Sequence, residues 1–188
     1  MVLKVIGIVG PQGSGKTEVA KILTNLGVPC VRMGNVVWEE VRRRGLEITE
    51  TNVAKIAVEL REREGLGAVA KRCIPLIKAK GEGKPAVVVD GIRGEAEVNE
   101  FRRTFYGDFR LIAVQSEEKI RYSRVASRGR VDDADTQEKF REKDRRESSW
   151  GLDNALTIAD FTIVNEGTLE DLHRKAVEIY RKVVGEKV

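Results

Sequence analysis

Residues 10–17 read GPQGSGKT and follow directly on the apolar run KVIGIV at 4–9. The spacing Gly10-x-x-x-x-Gly15-Lys16-Thr17 is that of a phosphate-binding loop. Glycines admit left-handed backbone angles, so successive N–H groups turn inward toward a single anion. The stretch after the loop, KTEVAKILTNLG, reads as a helix whose positive end faces the same phosphates. Lys16 is a compact cation for the β and γ phosphates of a nucleotide. Thr17 offers a hydroxyl to Mg²⁺. Gly10, Pro11, Gln12, Gly13, Ser14, Gly15, Lys16 and Thr17 are therefore the expected nucleotide cradle. A plain Gly-rich connector is the alternative, but it gives no reason for lysine and threonine at those two positions.

Outward from the loop, four more segments have the continuous apolar character of buried parallel strands: 28–32, 86–90, 109–115 and 161–164. Helical patterns fill the gaps at 15–26, 35–44, 50–64, 67–80, 94–103, 117–128, 135–148 and 168–184. Ser116, Asp135 with Glu138, and Thr168 with Asp171 stand where helix starts are expected. Alternating strands and helices predict an α/β fold with a mainly parallel sheet and helices on both faces. One domain spans 1–188, with a helical insertion at 33–80 and an arginine-rich segment at 121–146.

Composition narrows the partners. The net charge is +4, from 34 basic and 30 acidic residues. That favours an anionic small molecule and falls short of a nucleic-acid-binding extreme; no aromatic-basic interleaving points to RNA. The charged fraction of 34% is compatible with a thermophilic source. Cys30 and Cys73 form no C-x-x-C pair and His173 is the single histidine, which argues against zinc. Both cysteines read as small buried groups in a reducing compartment. No apolar run reaches membrane-spanning length, and the first apolar stretch runs into the glycine loop instead of a cleavage site. A cytoplasmic protein is expected.

Two further regions carry chemistry. In VVVDGIRGE, Asp90 ends the third strand, at the sheet edge where ligands of open α/β sheets bind. A carboxylate there can hold Mg²⁺ through its water shell beside Thr17, or else cap the following helix. Arg93 can grip a second phosphate. Residues 121–146, RYSRVASRGRVDDADTQEKFREKDRR, concentrate arginines around one Gly-Arg-Val-Asp-Asp turn. Phosphoryl transfer spreads negative charge over the moving group, which an arginine lid would meet. A solvated charged face is the plainer reading of the same residues.

These stretches together resemble the nucleoside-monophosphate kinase group of P-loop proteins, adenylate and dephospho-coenzyme A kinases in particular, and an archaeal set of ATP-binding proteins like them. GPQGSGKT is similar to the kinase phosphate loop, RMGNVVWEEVRRRG to the acceptor segment, DGIR to the Asp-Gly-Phe-Pro-Arg signature without its Pro, RVASRGRVDD to a short lid, and ADFTIVNEGTLEDL to the last strand and adenine-side loop. The chain carries Gly34-Asn35 where members usually carry Gly-Asp. The resemblance implies a three-layer P-loop kinase fold, with a five-stranded parallel sheet in the order 2-3-1-4-5 and a short helical lid.

It also implies roles. Lys16, Asp90, Arg130 and Arg141 would be catalytic, the two arginines acting on the transferring phosphoryl. Thr17 and Asp90 would organise Mg²⁺. Arg124, Arg128 and Gly167 would lie on the ATP side; Gly34, Asn35 and Arg93 would hold the acceptor. Arg42 and Arg61 read either as phosphate holders or as surface charges, and Trp38 as a stacking platform or a packing residue. The expected activity is ATP- and Mg²⁺-dependent phosphoryl transfer to a nucleotide or related small phosphate acceptor. The alternative is an ATP-binding regulatory module with slow hydrolysis and no acceptor pocket.

Overall fold

The computed structural model describes residues 2–128 and 136–185. The expectations placed on Arg130, Asp132, Asp133 and Asp135 fall outside these residues, as does the side chain of Arg128.

Five strands form one parallel sheet: β1 (Lys4–Val9), β2 (Cys30–Arg32), β3 (Ala86–Ile92), β4 (Phe109–Gln115) and β5 (Phe161–Val164). Their order is β2-β3-β1-β4-β5, as expected. Between them run α1 (Lys16–Asn25), α2 (Met33–Arg43), α3 (Glu50–Glu64), α4 (Ala68–Gly81), α5 (Glu95–Phe105), α6 (Glu118–Arg128), α7 (Gln137–Ser149), α8 (Leu152–Thr157) and α9 (Leu169–Val184).

The period of two along each strand divides the core. Val5, Val9, Val87, Val89, Leu111 and Ala113 pack on one face with α2, α3, α4, α5 and α8. Ile6, Ile8, Val88, Ile112 and Val114 pack on the other with α1 and α9. Both faces are covered, which is why the strands read as continuous apolar runs. Gly7 belongs to this packing: a Cβ there would stand 2.6 Å from Ile92 Cδ1 and 2.7 Å from the Phe109 ring.

Several details differ from the expectation. β2 starts at Cys30, because Pro29 has no N–H to give the ladder and contributes only its carbonyl, to Val88 N at 2.8 Å. β3 runs on to Ile92 through a bulge: Ile8 pairs with Asp90 but Val9 with Ile92, and Gly91 takes φ 100°. Thr136 caps α7 by accepting from Lys139 N. The Ser116 hydroxyl, two residues before α6, accepts from Arg124 at 3.3 Å. Thr168 caps α9 as expected. The six-residue α8 went unread, since fewer than two turns give little periodicity, and it follows Gly151 in left-handed geometry. Helices α6 and α7 pack on each other through Val125, Phe140 and Tyr122. Among the described residues no helix is long and apolar enough to cross a membrane.

Candidate active site

The loop from Gly10 to Thr17 leaves the carboxyl end of β1, the central strand, and enters α1. Gly13 and Gly15 have φ of 74° and 105°, in the region that favours glycine. Close approach adds a second requirement. A Cβ at Gly13 would meet the Arg121 carbonyl at 2.4 Å, and one at Gly15 the Asn165 amide at 2.2 Å. The loop is thus wedged between α6 and the β5–α9 connection. Asn165 Nδ2 donates to Ser14 O at 2.8 Å. Arg121 donates to Gln12 O at 3.1 Å and pairs with Asp144 at 2.7 Å. Arg124 reaches Asn165 O at 3.1 Å and Gly13 O at 3.4 Å. Lys16 Nζ lies in the mouth of the loop, donating to Gly10 O at 2.5 Å and Pro11 O at 2.7 Å.

Asp90 reaches the same place from β3. Its Oδ2 accepts from Thr17 Oγ1 at 3.4 Å and lies 3.7 Å from Arg32 Nε. The carboxylate is 6% exposed, and strand register sets Asp90 between Ile8 of β1 and Arg32 of β2. A hydroxyl and a carboxylate converging beside a phosphate loop are hard oxygen donors, the kind Mg²⁺ takes.

These groups border a cleft of about 670 Å³. Its walls carry Lys16, Arg32, Arg93, Arg124 and Lys143, with Asp90 as the inner acid. Gly34, Asn35 and Trp38, at the start of α2, form the far side. Such a balance of charge suits a polyanion.

Beyond Arg93 lies a smaller cavity of about 110 Å³. Its apolar wall includes Met33, Val37, Val53, Ala57 and Trp150. Gly34, Trp38, Gly91, Arg93 and Lys143 line both spaces. Three ion pairs ring this cavity: Arg93–Glu147 at 2.6 Å, Arg61–Glu97 at 2.8 Å and Arg146–Glu50 at 2.9 Å. Glu97 also accepts from Arg93 N at 2.7 Å. Arg61 sits 4.0 Å above the Trp150 ring. Burial pushes the Glu97 carboxyl above its ordinary range, against the pull of Arg61. Glu147 is also buried, yet Arg93, Lys16 and Lys143 together hold it below the ordinary carboxylate range.

The structure therefore gathers Lys16, Thr17, Asp90, Arg124, Arg93, Gly34 and Asn35 around one cleft. It does not bring Arg141 there: Arg141 Nε pairs with Glu118 at 3.0 Å on the exposed side of α6. Gly167 is exposed and lines neither space; Asn165, two residues earlier, makes the contact with the loop. Arg42 is exposed, and Arg61 is a buried partner of Glu97. Trp38 does border the cleft, whereas Trp150 packs under arginines. Sequence reasoning missed Asn165, Lys143 and Glu147. The period of Phe140, Asp144 and Glu147 marks one face of α7, but nothing local shows that this face meets Gln12 and Arg93.

Comparison with known proteins agrees with this architecture. Residues 6–148 match a family model described as an AAA domain. The chain is 49% identical over 181 residues to a UPF0200/UPF0201 protein of Archaeoglobus fulgidus, covering 96% of this chain and 56% of that protein. It thus spans little more than half of that relative. It is 44% identical over 177 residues to a UPF0200 protein of Methanosarcina barkeri, covering 94% of each. Among solved structures, TT1252 from Thermus thermophilus superposes with a TM-score of 0.59 at 18% identity, covering 97% of this chain and 98% of that one. A shikimate kinase from Acinetobacter baumannii, in complex with shikimate, superposes with a TM-score of 0.55 at 21% identity, covering 99% and 96%. At these identities the likeness speaks for the fold.

Proposed function

We propose that this chain, which belongs to the archaeal UPF0200 family and carries a P-loop kinase-like AAA domain, transfers the γ-phosphoryl group of ATP to a nucleotide or related small acceptor. The observation that carries the reading is the convergence of Lys16, Thr17 and Asp90 at one end of the large cleft, with a second cavity opening beyond Arg93. A regulatory module that only binds ATP has no use for that second space.

In this reading the N–H groups of Gly13 to Thr17 and the start of α1 cradle the phosphates. Lys16 leaves its carbonyl partners for the β and γ oxygens. Thr17 and Asp90 would hold Mg²⁺, which would supply charge neutralisation to the phosphates. Arg124 supports the donor end, tied to the loop through Gly13 and Asn165. Arg93 faces the acceptor, and Arg130, Arg128 and Arg141 add positive charge from the lid when water is excluded. A reducing cytoplasm fits the two free cysteines, Cys30 and Cys73.

The test is ADP formation by purified protein with ATP and Mg²⁺, across a panel of nucleotides, nucleosides and small hydroxylated acids. Stimulation by at least one acceptor above the acceptor-free rate is expected. A rate that stays at the acceptor-free level with every compound favours the binding module instead.

A further inference from the structure

We infer that the smaller cavity seats a hydroxyl group of the acceptor, and that Glu147 Oε2 takes first the hydrogen bond and then the proton of that hydroxyl. This deepens the phosphotransferase reading and rests on it. It assigns the reacting group as an alcohol and adds a catalytic carboxylate on α7.

The charges of the cavity speak first. Arg61, Arg93 and Arg146 are each already paired to a carboxylate, at 2.8, 2.6 and 2.9 Å. A phosphate dianion entering there would compete with Glu97, Glu147 and Glu50 for guanidiniums whose charge they already match, although Arg61 Nε, Arg93 Nη1 and Arg146 Nε are without a hydrogen-bond partner among the described residues. A hydroxyl donates and accepts at once, so it can meet one of these N–H groups and a carboxylate oxygen without displacing an ion pair. The main cleft, by contrast, carries a surplus of cations and receives the triphosphate.

The acceptor atoms speak second. Glu97 spends Oε1 on Arg61 and Oε2 on the N–H of Arg93. Glu50 receives Arg146. Asp90 is engaged by Thr17 and Arg32. Glu147 gives Oε1 to Arg93, while its Oε2 is buried and has no hydrogen-bond partner among the described residues. A buried carboxylate oxygen left without a donor is costly, and a ligand hydroxyl removes that cost. Asn35 lines only the larger cleft, and its amide cannot take a proton. The ionised state of Glu147 is favoured by Arg93, Lys16 and Lys143 despite burial.

The position speaks third. Glu147 lines the smaller cavity and pairs at 2.6 Å with Arg93, which lines both spaces, so a hydroxyl bonded to Glu147 would lie toward the phosphate cleft. The step balances. The acceptor oxygen forms a bond to the γ phosphorus, the bond from that phosphorus to the β–γ bridging oxygen breaks, and ADP leaves with the electron pair. The hydroxyl proton passes to Glu147 and then to solvent.

The experiment uses the full chain with ATP and Mg²⁺ and reads products by phosphorus NMR. One arm offers alcohols without phosphate: nucleosides, glycerol and small hydroxy acids. The other offers phosphate oxygens: nucleoside monophosphates, each checked for anhydride or ester products, and inorganic phosphate. A phosphate ester as product is expected in the first arm. E147Q should lower that transfer by about 10²- to 10⁴-fold, with ATP affinity, measured separately, within about twofold of wild type. Exclusive formation of phosphoanhydrides overturns the inference, as does E147Q transferring within about threefold of wild type. ATP binding without transfer to any alcohol overturns it too, leaving the nucleotide site standing. Loss of ATP binding in the wild type sinks the phosphotransferase reading itself. Should E147Q fail to fold, the identity of the wild-type product decides alone.

Discussion

Arg61 Nη2 lies 2.8 Å from Glu97 Oε1 in the wall of the smaller cavity, with the two side chains only 5% and 1% exposed. The same guanidinium donates to Ala57 O at 2.9 Å and covers the Trp150 ring. One pair thus locks α3, α5 and the end of α7 around the cavity. Removing one partner leaves the other charge buried and alone. E97Q should therefore destabilise the protein by about 3–5 kcal/mol in urea titrations, and the double replacement R61L/E97L by much less.

Lys16 and Asp90 separate two contributions to nucleotide binding. K16A should lower turnover by about 10²- to 10³-fold, as loss of a charge aimed at the reacting phosphates does. D90N should instead raise the Mg²⁺ concentration needed for half-maximal turnover by about 10- to 100-fold. Titrations of ADP formation against Mg²⁺ distinguish the two.

Asn165 props the loop without facing the cleft. N165A removes the bond to Ser14 O and leaves Gly15 less confined. One neutral hydrogen bond is worth about 1 kcal/mol, so ATP affinity should fall by about three- to tenfold. G13A should do worse, since its methyl meets the Arg121 carbonyl and its φ is left-handed. Calorimetric titration with ATP ranks the two variants.

Arg141 pairs with Glu118 where both are about half exposed. R141A should change stability by less than about 0.5 kcal/mol, as exposed pairs do. A role on the transferring phosphoryl predicts a lower kcat with unchanged ATP affinity. An unchanged kcat would return Arg141 to the surface.

Glu40 gives a pH signature away from the site. Hydrogen bonds from Arg43 and Arg44 pull its carboxyl down to about 2. A depressed folded-state value means the contribution is present above the ordinary carboxylate range and is lost as pH falls through about 2. Arg43 is largely exposed, so screening holds the contribution to about 1 kcal/mol. The gap in urea midpoint between wild type and E40Q should be open at pH 6 and close toward pH 2.

Much of the fold was legible in local pattern. KVIGIV, AVVVD and FRLIAVQ announced strands buried on both faces, and GPQGSGKT announced the turn between strand and anion-binding helix start. The carboxyl-edge position of Asp90 followed from its place at the end of a parallel strand. The bulge at Gly91 and the short α8 were not legible. The bulge depends on pairing with β1, and α8 on packing of Leu152 and Ala155 against the sheet.

By itself the sequence determined the nucleotide end of the site. There the chemistry sits in one contiguous stretch, whose glycines, lysine and threonine act through backbone geometry that eight residues specify. The smaller cavity beyond Arg93 was decided by tertiary structure alone. Arg93, Glu97, Arg61 and Glu147 come from the end of β3 and from α5, α3 and α7, and their charges cancel in pairs only when those elements pack. Sequence spacing carries no information on which arginine is spent on which carboxylate, because that depends on distances of under 3 Å between residues 36 to 54 positions apart.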